Sequence, residues 1–225
     1  MALEGAEARH MVKVLRTRPG EIVRLFDGVG REGDFEVLET SKSHAVLKAL
    51  ELKDHGTSDG GVWLALGWNK SSRRSYLLEK AVELQAGGIV FWQAEFSQGK
   101  VPGDAKESWL EKAVQAAKQC GSAWLPEFDV VSGGVQGVAE YGKGFDRTII
   151  AWENEQGALL SPAELARGRT LIVIGPEGGF ADHEAEAFMH KGFSAVSLGS
   201  SVLRWETAAM HCLSLSFYAR EALKS

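Results

Sequence analysis

From Glu21 onward, the segments EIVRLFDG, GDFEVLET and SHAVLKALEL step between apolar and polar residues, with Asp27-Gly28 and Gly33 as turn residues. Such alternation has the period of a half-buried strand and predicts a small all-β module. The stretch from Lys53 to Gly61, KDHGTSDGG, is polar and glycine-rich. A break of this kind marks a domain boundary, which separates residues 1–57 from residues 62–225. Beyond it the pattern changes. The apolar runs VWLALG, GIVFWQA, RTIIAW and TLIVIG read as strands, and they alternate with helical patterns in RRSYLLEKAVELQ, SWLEKAVQAAKQ and DHEAEAFMHKG. A strand at AVSLG and a long helix from Trp205 complete the chain. In the second of these helices Trp109, Leu110, Ala113, Val114 and Ala117 recur at helical spacing, predicting one apolar stripe against a sheet. Strands alternating with helices predict an α/β fold with a mostly parallel sheet covered on both faces. Ligands of such sheets gather at the carboxyl ends of the strands. Three segments lie there, at Trp152-Glu153-Asn154, from Gly175 to Phe180 and from Leu198 to Arg204, so the site is expected to be built from them.

Composition narrows the function classes. With 225 residues and 44% apolar content the chain can bury a full core. No apolar run approaches the roughly 18 to 20 residues that span a bilayer, and MALEGAEARH has no basic region followed by an apolar stretch. A soluble, cytoplasmic protein is expected. Cys120 and Cys212 stand far apart, and the histidines show no paired spacing, so neither a disulfide framework nor a metal site is signalled. The net charge of -5 does not suggest a nucleic-acid surface, yet basic residues cluster at Arg9, His10, Lys13, Arg16, Arg18 and Arg24, and again at Lys70, Arg73 and Arg74. A basic RNA-binding face and ordinary solvated charge both account for this clustering.

Two segments carry the candidate chemistry. In LIVIGPEGGF a buried-type strand runs into Gly175-Pro176-Glu177-Gly178-Gly179 and then a helix. Glycines there let backbone groups approach a ligand, although the same pattern also serves as a plain connection. A phosphate loop is disfavoured, because Gly179-Phe180-Ala181 supplies neither the lysine nor the hydroxyl that such a loop needs. In VSLGSSVLRWETAA a strand end leads through Gly199-Ser200-Ser201 into a helix. Glu206 suits the positive end of that helix. Arg204 can be read as an ion-pair partner of Glu206 or Glu177, or as a substrate contact.

GPEGGF followed by an acidic helix start, and then LGxxVLRxETA, closely resembles the paired C-terminal signature of the uridine-N3 methyltransferases of 16S ribosomal RNA, the RsmE family of the SPOUT superfamily. Weaker matches follow in the same order: HMVKVLR with Pro19-Gly20, EKAVEL in the first helix, and QAAKQCG with Pro126. The resemblance spans nearly the whole chain. It implies an N-terminal PUA-like β-barrel that binds RNA, a C-terminal domain tied in a deep trefoil knot, S-adenosylmethionine as cofactor, and a homodimer acting on 16S rRNA or the small ribosomal subunit. By motif, Gly175, Pro176, Glu177, Gly178 and Gly179 match the first knot loop, and Leu198, Gly199, Leu203 and Arg204 the second; Glu153 and Thr207 are further candidates for the cofactor pocket. Arg204 is the expected catalytic cation. Glu177 is expected either to act beside it or to brace the loop. Arg9, His10, Lys13, Arg16, Lys70 and Arg73 are the expected RNA contacts. The chain departs from the family at Ser122 and Ser201, where arginine is usual, at Gln85 in place of glycine, and at Ala181 in place of a capping serine; it also begins close to the His10 motif. The lost arginines make a non-catalytic or altered-substrate RNA-binding protein of the same fold the alternative.

Overall fold

The computed structural model describes residues 1–56, 60–70 and 72–224. The chain divides into two compact units, Met1–Ser58 and Asp59–Ser225. The first contains β1 (Ala2–Glu4), α1 (Gly5–Arg9), a π-helical turn (His10–Val14), β2 (Ile22–Phe26), β3 (Arg31–Ser41) and β4 (His44–Asp54). Its strands pair antiparallel in the order β1-β4-β3-β2. The barrel expected for this unit is thus, among the described residues, a four-stranded sheet with β1 and β2 at its edges. Phe35 and Val37 alternate inward on β3 and meet Ala45 and Leu47 of β4 and Met11 of the π-helical turn, which together form a small core. Asp27 makes the β2–β3 turn, its carboxylate accepting from the N–H groups of Val29 (2.9 Å) and Arg31 (3.0 Å). Gly33 is not in a turn. It lies within β3, where a Cβ would stand 2.6 Å from the Glu51 carbonyl oxygen, so glycine permits close strand approach there.

The second unit carries β5 (Gly60–Gly67), α2 (Arg74–Glu83), β6 (Gly88–Trp92), α3 (Glu107–Cys120), β7 (Glu127–Val131), α4 (Gly134–Gly142), β8 (Arg147–Ala151), α5 (Pro162–Leu165), β9 (Gly168–Ile174), α6 (Asp182–His190), β10 (Ser194–Val196) and α7 (Trp205–Glu221). All its strand pairs are parallel, in the order β10-β8-β9-β5-β6-β7. The apolar runs divide by parity between two cores. Val62, Leu64 and Leu66 face one side with Ile89, Phe91, Ile172 and Ile174, under α2, α3 and α7. Trp63 and Ala65 face the other with Val90, Trp92, Leu171 and Val173, under α4 and α6. Burial on both faces explains why these strands read as unbroken apolar runs.

The predicted stripe on α3 needs one correction. Trp109, Ala113 and Ala117 are buried, but Leu110 is 49% exposed, and Ala116 takes its place on the inner face. Residues three and four apart share a helix face, whereas Leu110 follows Trp109 directly and is turned away. The strand β7 and the helices α4 and α5 were not anticipated. Gly134, Gly137 and Gly142 dilute the helical signal of α4, and Glu127 and Asp129 interrupt the apolar character of β7.

Candidate active site

The order of strands reverses between β5 and β9: from β5 the chain continues outward to β6 and β7, and β9 and β8 lie on the other side. A crevice forms at such a point at the carboxyl ends of the strands. The cavity here, of about 730 Å³, lies to one side of that point, at the carboxyl ends of β8, β9 and β10, and all three predicted segments line it. Glu153 comes from the end of β8, Gly175 to Gly179 from the end of β9, and Leu198, Gly199, Leu203 and Arg204 from the loop between β10 and α7. Thr207 stands outside this wall, exposed on the first turn of α7. The reason is helical phase: Ala208, one turn beyond Arg204, is the residue that faces the cavity. Trp152, in the first predicted segment, also lines the cavity, whereas the sequence reading missed Ile174 and Trp205, whose apolar character signals only core.

The glycine loop is shaped by close packing. Gly179 closes a turn by donating its N–H to the Pro176 carbonyl at 2.9 Å, with φ +76°, and a Cβ there would run into the Glu153 carboxylate. At Gly175 a Cβ would stand 2.9 Å from the Gly179 carbonyl carbon. Gly67, at the end of β5, lets the Pro176 ring pack against its Cα, since a Cβ would lie 2.6 Å from the ring's Cδ. The loop's far end is anchored by Phe180, which is buried and stacked on Trp92 at 6.2 Å between ring centroids.

Glu177 is exposed and accepts a hydrogen bond from Gln98 Nε2 at 3.2 Å. Its contact therefore runs to the β6–α3 loop. The same loop is held by Glu184, a buried carboxylate whose Oε1 accepts from the Glu95 N–H at 3.0 Å and whose Oε2 accepts from the Ala181 N–H at 3.2 Å. Half of the capping box is thus kept, although Ala181 has no side-chain acceptor of its own.

Arg204 is exposed on the cavity wall in extended backbone at the start of α7, and its guanidinium forms no ion pair with a described residue. Glu206 pairs instead with Arg73, from just ahead of α2. Of the expected RNA contacts, Arg9, His10, Lys13 and Arg16 lie on or next to α1 and the π-helical turn of the first unit. Lys70 is exposed in the loop between β5 and α2, and Arg73 is committed at least in part to Glu206. Ser122 bonds locally with the backbone of Trp124, and Ser201 lies in the cavity wall.

A family profile described as an RNA methyltransferase domain matches residues 58–216, and one described as an RNA methyltransferase PUA domain matches residues 3–50. Ribosomal RNA small subunit methyltransferase E of Mycobacterium bovis is 30% identical, covering 92% of this chain and 82% of that protein. The chain belongs to the ribosomal RNA small subunit methyltransferase E family. Another member, from Bacillus subtilis, is 27% identical, covering 99% of this chain and 91% of its own. The solved structure of the family member from Neisseria gonorrhoeae bound to S-adenosyl methionine superposes with a TM-score of 0.78 at 26% identity, covering 99% of this chain and 91% of that one. The PUA-like first unit and the α/β second unit are thus features of the family. No described helix is long and apolar enough to cross a membrane.

Proposed function

We propose that this protein transfers a methyl group from S-adenosylmethionine to N3 of a uridine in 16S ribosomal RNA. The observation that carries the reading is the guanidinium of Arg204, which forms no ion pair with a described residue, on the wall of the cavity lined by the glycine loop. The residues present suit the cofactor. Gly175, Gly178 and Gly179 offer backbone at close range, Leu198 and Leu203 offer apolar wall, and the carboxylates of Glu153 and Glu177 suit a ligand bearing positive charge. When bound, S-adenosylmethionine supplies a methyl group on a sulfonium.

The task of the chain is then to hold uridine N3 in line with that methyl group. N3 must lose its proton, and negative charge spreads onto the neighbouring carbonyl oxygens. Arg204 stabilises that charge, which favours proton loss. Glu177 braces the loop through Gln98 and keeps Gly178 in the wall. Residues 1–57 grip the RNA through Arg9, His10, Lys13 and Arg16, while Lys70 adds a contact from residues 62–225. We read the loops 175–179 and 198–204, which line one cavity, as the two loops of a trefoil knot. The enzyme is a cytoplasmic homodimer acting on the small ribosomal subunit.

The test incubates the protein with labelled S-adenosylmethionine and small ribosomal subunits lacking the modification, then digests the RNA. Label in 3-methyluridine is the expected result. Arg204→Ala is expected to lower kcat about 100-fold with cofactor affinity unchanged. Full turnover by both Arg204→Ala and Arg204→Lys would remove Arg204 from the mechanism. RNA binding with no label would instead favour a non-catalytic binder or another substrate.

A further inference from the structure

Phe96 lies in the β6–α3 loop and is 46% exposed. Single exposed apolar residues are common on proteins and by themselves mean little. This one, however, packs on Gly178, whose Cβ, were there one, would stand 2.8 Å from Phe96 Cβ and 3.5 Å from Cγ. Gly178 in turn lines the cavity with Glu177 and Arg204. The ring has no aromatic partner among the described residues.

The loop that carries Phe96 is firmly tied down. Gln98 donates to Glu177, the Glu95 N–H donates to buried Glu184, and the Glu95 carboxylate lies 3.3 Å from His183 Nε2. Within the loop, the Ser97 Oγ accepts from the Ala94 N–H at 2.9 Å, and the Gln93 amide bonds both Gly99 and Val101. The loop thus holds the Phe96 ring against Gly178 while leaving nearly half of the residue in water.

We propose that Phe96 is the stacking platform for a base of the RNA substrate at the mouth of the cavity. The proposal rests on the methyltransferase reading given above. Uridine N3 lies on the base-pairing edge, so methylation requires the base to be unpaired and turned out, and it then loses its stacking neighbours. An aromatic side chain beside the cavity replaces them and orients the ring plane, as aromatic residues do for splayed-out bases in RNA recognition. Phe96 is a substrate-positioning residue and takes no part in proton or methyl transfer.

The experiment compares wild type with Phe96→Ala, Phe96→Leu and Phe96→Trp. It measures S-adenosylmethionine affinity by calorimetry, thermal stability, and kcat and KM on undermethylated small ribosomal subunits. Phe96→Ala is expected to lower kcat/KM for the RNA about 10-fold or more, with cofactor affinity within about two-fold of wild type. Phe96→Trp is expected to keep near-normal activity, and Phe96→Leu to stay low despite restoring apolar bulk over Gly178. Wild-type kcat/KM in Phe96→Ala would overturn the proposal. So would recovery in Phe96→Leu, because it would reduce the role of the ring to packing on the loop. A wild-type protein that binds the cofactor but transfers no methyl group would overturn the methyltransferase reading itself, and this proposal with it.

Discussion

Gln85 stands where the family's pattern has glycine, and the structure shows what that replacement does. α2 ends in a left-handed residue, and Gln85 adopts φ +52°. The hydrogen bonds are those of a Schellman stop: Gln85 N–H to the Val82 carbonyl at 3.1 Å, and Ala86 N–H to the Ala81 carbonyl at 2.8 Å. A side chain in this region clashes with its own backbone, a strain that glycine lacks. Gln85→Gly is therefore expected to stabilise the protein by about 1 kcal/mol, the cost of left-handed backbone outweighing glycine's extra freedom when unfolded. Urea unfolding measures this, and a destabilised variant would contradict the assignment. Arg204 and Glu206 show the opposite case, in which a residue's neighbours in the sequence mislead. Glu206, two positions from Arg204, pairs with Arg73, 133 positions away, and leaves Arg204 available to the cavity.

At the scale of elements, α6 and the β6–α3 loop are joined through Glu184. Its two oxygens take N–H groups from both, and it sits in the first turn of α6, where negative charge also complements the helix. Glu184→Ala would leave both N–H groups without this acceptor, and a loss of about 2 kcal/mol is expected by thermal or urea unfolding. Cofactor affinity should fall with it, because the glycine loop ends at Ala181, where α6 begins. A loss of stability with cofactor affinity unchanged at low temperature would show that the loop stands without this tie. In the sequence, Ala181 in place of the family's capping serine signals a broken cap at this place. The missing serine hid the fact that the glutamate half persists and has a second partner.

At the scale of the whole molecule, the two units differ in how they respond to acid. In the first, the N–H groups of Val29 and Arg31 together with the Arg31 guanidinium hold the Asp27 carboxyl below its ordinary 3.8, and hydrogen bonds from Arg24 and His55 hold Glu32 below its ordinary 4.5. A carboxyl with a depressed value in the folded state stabilises that state above the unfolded value and loses this contribution as pH falls through the folded one. In the second unit Glu155 is lowered in the same way, by the N–H groups of Gly157 and Ala158. Acid unfolding below pH 4.5 is therefore expected to register first in the β2–β3 hairpin, where two such groups sit together. Asp27→Asn should flatten that response, as amide exchange across the hairpin would show. The proposed dimer also belongs to this scale, and light scattering at twice the monomer mass would establish it.

The sequence by itself determined the α/β class, the change from two-residue to helical periodicity after the glycine-rich stretch, and the glycine and arginine segments of the site. These are local: parity, helical spacing and turn chemistry act over a few residues and leave a readable pattern. The tertiary structure decided which strands are neighbours, and so how the three expected segments close around one cavity. It also decided that Arg73 and not Arg204 meets Glu206, that Thr207 turns away while Ala208 turns in, and that Phe96 rests on Gly178. Contacts between distant positions depend on how the sheet is ordered and packed, which residue type and spacing within any one segment do not encode.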